Sequence, residues 1–114
     1  MRVSDLTSGK LSVPDGSEVT IEGIFVMVHG VGYLVESKEN KDQMELAIAV
    51  RHPDLERRLL KRVPALGGSK YSYSNNARIS GKLSMSVDPD FWGVIDAIHD
   101  FTVYIEELSF SVEL

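Results

Sequence analysis

Two stretches of this chain alternate apolar and polar residues around an internal glycine, and a basic helical pattern lies between them. The first runs Val19-Thr20-Ile21-Glu22-Gly23-Ile24-Phe25-Val26-Met27-Val28, and the second Ala77-Arg78-Ile79-Ser80-Gly81-Lys82-Leu83-Ser84-Met85. The first changes character at Gly23, which fits a bent strand, because glycine permits a bulge or a tight coil there. With Tyr33–Glu36 and Met44–Val50 as shorter strands and Phe101–Glu106 as a closing strand, the predicted order is strand, strand, strand, helix, strand, strand. That order limits the chain to a mainly β architecture with a single inserted helix.

The punctuation between these segments is legible. Val13-Pro14-Asp15-Gly16-Ser17 is a turn signal, and His29-Gly30-Val31-Gly32 predicts a short hairpin loop. The first strand is cleanly alternating up to Gly23 and apolar on both faces beyond it. Pro53 suits the first turn of a helix, Asp54 and Glu56 complement its positive end, and Pro64 stops it. Leu55, Leu59 and Val63 form its apolar stripe, while Arg57, Arg58, Lys61 and Arg62 take the remaining surface. Residues 65–76, with Gly67-Gly68-Ser69 and Asn75-Asn76, read as a loop, and residues 91–100 as strand or short helix. Phe110, Val112 and Leu114 alternate with Ser111 and Glu113, so residues 109–114 are either an added edge strand or a tail beyond a domain core of about 17–108.

At 114 residues the chain has room for one hydrophobic core, so residues 1–114 are expected to form a single domain. No stretch approaches a membrane span or a signal peptide, which predicts a cytoplasmic protein with no membrane partner. Cysteine is absent, which excludes disulfides, thiolate nucleophiles and cysteine-based zinc sites. The net charge of −5 disfavours a nucleic-acid binder, but the charge is unevenly spread. Residues 51–82 carry eight basic and two acidic side chains, whereas residues 83–114 carry seven acidic and no basic ones. Such asymmetry either makes a dipolar surface or is neutralised as the segments fold together.

Glu18-Val19-Thr20-Ile21-Glu22-Gly23-Ile24 resembles the first strand of bacterial OB-fold domains, and Arg78-Ile79-Ser80-Gly81-Lys82-Leu83 resembles their fourth. Val3-Ser4-Asp5-Leu6 ahead of Asp15-Gly16 is similar to the lead-in many such domains carry. The resemblance implies a five-stranded Greek-key barrel with one helix between strands 3 and 4. It also implies a ligand face on strands two and three, flanked by the loops joining strands one to two and four to five. Mapped onto this chain, the face comprises Tyr33–Glu36, Met44–Val50, the His29-Gly30 loop and the stretch from Asp88 to His99. Single-strand binders place stacking aromatics and basic groups there. This chain offers Tyr33, but also Asp88, Asp90, Asp96 and Asp100 without a lysine or arginine among them.

The remaining chemistry is thin. The helix cations, with Lys70, Tyr71, Tyr73 and Arg78 near them in sequence, form either a phosphate-tracking strip with stacking rings or a solvated helix face beside a loop. Asp88-Pro89-Asp90, Asp96 and His99-Asp100 fix no ligand count, so no metal or other cofactor is expected. Gly67-Gly68-Ser69-Lys70 lacks the spacing of a phosphate loop, and no common nucleophile signature occurs. Trp92, the single tryptophan, either caps the core or anchors a partner. The expectation is a non-catalytic binding module for a protein or peptide partner or its own copy. The alternative is single-stranded nucleic-acid binding through the basic helix and the tyrosine loop.

Overall fold

The computed structural model describes residues 1–85 and 87–114. The chain begins with a helix, α1 (Val3–Thr7), and continues through strands β1 (Ser17–Val28), β2 (Val31–Val35) and β3 (Ile48–Val50). Helix α2 (Leu55–Arg62) follows, then β4 (Tyr71–Met85), β5 (Gly93–Ile105) and β6 (Leu108–Ser111). The protein is therefore mainly β, with six strands rather than the expected five and a short helix at the start that the sequence reading did not anticipate.

All six strands join one sheet in the order β3-β2-β1-β4-β5-β6. The neighbours in that order pair antiparallel, and β3 pairs in parallel with β5 through Ile48–Gly93, Ala49–Val94 and Val50–Ile95. The pairings among β1, β2, β3, β5 and β4 thus close on themselves, and β6 hangs on β5 outside that circuit. A two-residue turn, His29-Gly30, links β1 to β2 with both residues at positive φ, 50° and 79°, the geometry that matches the twist of the flanking strands.

The helix between β3 and β4 lies where the periodicity placed it. Leu55, Leu59 and Val63 are buried in the main core, and α1 adds Val3 and Leu6 to it. Phe25, Tyr73 and Phe101 lie at its centre, with Phe25 and Phe101 edge-to-face at 5.1 Å between ring centroids. A second cluster sits on the opposite face of β1 and β2: Ile24, Val26, Tyr33, Val35 and Ala47, covered by Met44, Tyr71, Phe91 and Val28. This is why the second half of β1 is apolar on both sides.

Several boundaries differ from the sequence reading. Met44–Leu46 is a 3-10 turn, so the third strand is only Ile48–Val50. Tyr71–Asn76 belongs to β4 and not to a loop, because it pairs with Ile24–Val28 of β1. Residues 93–100 are strand, continuous with the expected closing strand through Ile105. The tail does add an edge strand, at Leu108–Ser111.

Candidate functional site

At Tyr33 the face assigned to ligand by the resemblance is covered by the protein itself, whereas His29, Gly30, Glu45, Leu46 and Asp90 stay exposed. The segment between β2 and β3 folds over the outside of β1 and β2, and Tyr33 beneath it is fully buried. Its hydroxyl donates to the Lys41 carbonyl at 2.6 Å, and its ring packs 5.9 Å from that of Phe91. Burial pushes the Tyr33 phenol up to about 12, with the charges at Tyr71 and Asp42 adding to it. Tyr33 is not an exposed stacking platform, which corrects the expectation drawn for it. Tyr73 is corrected likewise. It is fully buried in the main core and donates to the Val63 carbonyl at 2.8 Å, so it ties β4 to the end of α2.

The basic residues are drawn into pairs. Arg57 binds Asp54 one helical turn back at 2.7 Å, and Arg62 reaches Glu113 at 2.7 Å. Arg78 on β4 meets Asp100 on β5 at 3.1 Å, and Arg51 pairs with Asp88. Lys70 lies 3.6 Å from Asp42, whose other contact is the Tyr71 hydroxyl at 2.8 Å. That hydroxyl hydrogen bond, then the Lys70 and Lys41 ammonium groups, hold the Asp42 carboxyl below its usual range. Lys41 and Lys70 stand 4.4 and 5.1 Å from the centre of the Tyr71 ring, so this half-buried ring is already flanked by cations. Of the basic candidates, Arg58 and Lys61 have no ion-pair partner among the described residues. The structure therefore does not assemble Arg57, Arg58, Lys61, Arg62, Lys70, Tyr71, Tyr73 and Arg78 into one basic strip with accessible rings.

Trp92 is half-buried against the main core, and its backbone N–H donates to the Ala47 carbonyl at 2.9 Å. Phe91 beside it packs on the second cluster, so the aromatic pair straddles the sheet. The stretch expected as a flanking loop, Asp88 to His99, is mostly β5. Asp88 is held ionised by the Asp90 backbone N–H first and by Arg51 second, both of which lower its pKa.

What the fold does expose is a sheet edge. Among the described residues β6 pairs only with β5, through Thr102–Ser111, Val103–Phe110, Tyr104–Ser109 and Ile105–Leu108. The Val112 N–H donates to the Phe101 carbonyl at 2.8 Å. By the alternation of an antiparallel ladder, Leu108, Phe110 and Val112 face β5 with their backbone groups, while Ser109 and Ser111 turn theirs outward. Phe110 packs against the core and Val112 is buried, but Leu108 is 64% exposed. A cavity of about 270 Å³ lies between Ile98–Phe101 of β5 and the segment Ser111–Leu114. A wider depression of about 690 Å³ is lined by Arg51, His52, Pro53, Lys82, Asp96 and Ala97. No group of three or more metal-ligating side chains occurs among the described residues, and no helix is long and apolar enough to cross a membrane.

The sequence reading places an edge strand or tail at residues 109–114, Ser109 included, but not Leu108, with which the strand begins. Comparison with protein-family models, with curated proteins and with solved structures returns no match.

Proposed function

We propose that this protein is a non-catalytic, OB-like binding module that engages a protein or peptide partner, or its own copy, by strand addition at β6. Support for the OB-like reading comes from topology: the closed circuit of β1, β2, β3, β5 and β4, the parallel β3–β5 pairing, and a helix between β3 and β4. One observation carries the functional reading: β6 is an exposed edge strand whose outer backbone groups have no partner among the described residues. The carboxylates with shifted pKa speak for structure over chemistry. Glu36, Asp42, Asp54 and Asp88 are all lowered, held ionised by hydrogen bonds and cations, so none is poised to donate a proton near neutrality.

The test is selection of random extended peptides on the intact protein, with counter-selection on Ser109→Pro. That substitution removes an outward N–H and none of the N–H groups that face β5. Peptides that bind the parent protein and not the variant support the reading, as does a dimer that the same variant dissolves. If neither is found, and labelled oligo-dT or oligo-U binds with an affinity that collapses in Arg58→Glu/Lys61→Glu, the nucleic-acid alternative replaces it.

A further inference from the structure

The edge at β6 has a charge signature that specifies its occupant. Its paired segment, Leu108–Val112, alternates apolar residues with serine; the strand is short, but it contains no proline, no lysine and no inward-pointing charge to protect the edge. The ends of that segment are different. Glu106 and Glu107 form the exposed turn on one side, Glu113 is exposed on the other, and no basic residue occurs from position 83 to 114. Glu113 has the Arg62 guanidinium at 2.7 Å, but both side chains stay open to solvent, where such a pair is weak.

These flanks discriminate between the two occupants of the proposed function. A second copy overlapping the whole of Leu108–Val112 would run antiparallel about Phe110. Its register then sets Glu107 of one copy directly against Glu113 of the other, twice over by symmetry. Like charges placed opposite one another across strands are destabilising. A foreign strand with lysine or arginine at both ends meets carboxylates at both ends instead, and an apolar side chain in its centre finds the exposed face of Leu108. Single-stranded nucleic acid would meet the same carboxylates with its phosphates.

We infer that β6 is a docking edge for an extended peptide segment with an alternating apolar centre and basic residues at both ends, and that it disfavours its own copy. This rests on the strand-addition reading above and adds the chemistry of the partner. The edge supplies backbone donors and acceptors through Ser109 and Ser111, and the glutamates set the choice of partner.

The experiment is fluorescence anisotropy with three labelled peptides sharing a valine–threonine alternating centre: one ended by lysine pairs, one by glutamate pairs, and one lysine-ended with prolines in its centre. The lysine-ended peptide should bind at least about tenfold tighter than the glutamate-ended one at about 50 mM salt. Glu106→Lys/Glu107→Lys should invert that order, and this surface variant reports even if Ser109→Pro disturbs the hairpin. Equal binding of the first two peptides, or undiminished binding of the proline-centred one, would overturn the inference. So would a dimer of the parent protein in sedimentation that Ser109→Pro dissolves. Recovery of edge-binding peptides without basic ends would sink the inference and leave the broader reading standing. Absence of any peptide sensitive to Ser109→Pro, with no such dimer either, would sink both.

Discussion

Gly81 is the residue on which the bend of β4 and β5 depends. A Cβ built there would lie 2.6 Å from the Asp96 carbonyl oxygen and 3.3 Å from the Ile98 Cα, both backbone atoms that have nowhere to go. The register between β4 and β5 shifts at this point, and Ala97 takes up the extra chain in a left-handed conformation with φ of 46°. Gly81→Ala should therefore cost about 1–3 kcal/mol, as over-filled sites do. Gly67→Ala, with nothing within 4 Å of its Cβ, should be close to neutral. Urea denaturation of the two variants beside the parent protein checks this; equal midpoints would mean that the two strands separate without loss. Nothing in the pattern marked Gly81 as a bulge; the bend was expected at Gly23, where β1 pairs with β4 without a shift and the glycine has another cause. Its Cβ would meet the Val35 carbonyl oxygen at 2.7 Å and Val3 at 2.9 Å, an approach made by α1 and β2 from elsewhere in the sequence. No local pattern could have announced it.

Among the elements, α1 shows how a helix of one and a half turns is held. Five residues are far too few for a helix to persist alone. Val3 and Leu6 bury into the core, and Glu36 at the end of β2 accepts from the Ser4 N–H at 2.9 Å while pairing with Arg2 at 3.2 Å. Burial pushes the Glu36 carboxyl up, but the Ser4 hydrogen bonds and the Arg2 guanidinium outweigh it and hold the group below its ordinary value. A carboxylate whose folded pKa is depressed contributes stability above its unfolded pKa and loses it as the pH falls through the folded one. Glu36→Gln should thus destabilise by about 1 kcal/mol at pH 7, a small figure because the pair is partly exposed. The difference from the parent should close as the pH falls through the ordinary carboxylate range and beyond it, as Glu36 takes up its proton. Thermal melts at several pH values test this; a gap that persists in acid would assign the effect to packing. The elements that escaped the sequence reading failed for a common reason. Tyr71–Asn76 has turn-prone asparagines, so local preference spoke for a loop, and pairing with β1 overrode it; residues 91–100 left strand and short helix open, and pairing with β4 decided for strand. The tyrosines were likewise read as accessible because burial of Tyr33 depends on a crossover that brings Lys41 and Ala47 onto it.

For the molecule as a whole, the uneven charge of the sequence is largely cancelled by the way the chain closes. Three ion pairs join the basic middle third to the acidic final third: Arg51 with Asp88, Arg62 with Glu113, and Arg78 with Asp100. Each brings together residues distant in sequence, so the cationic tract is a property of the linear chain and not of the folded surface. The sequence left open whether the asymmetry would make a dipole or be neutralised; only the pairing of β4 with β5 and the return of the tail past α2 decide it. Phosphate contacts provide most of the non-specific affinity for nucleic acid, and they require several cations along one track. Of the eight cations in residues 51–82, Arg58, Lys61 and Lys82 have no carboxylate partner among the described residues, fewer than such a track uses, and a net charge of −5 opposes approach. Labelled oligo-dT should show no binding at tens of micromolar in about 50 mM salt, and releasing the pairs should create what the parent lacks. Asp100→Asn/Glu113→Gln frees Arg78 and Arg62 and lowers the negative charge by two, so it should bind measurably more oligo-dT than the parent, and the gain should vanish as salt rises. Tight, salt-sensitive binding by the parent protein itself would mean that the ion pairs open on contact with phosphate, and would return α2 to the centre of the functional question.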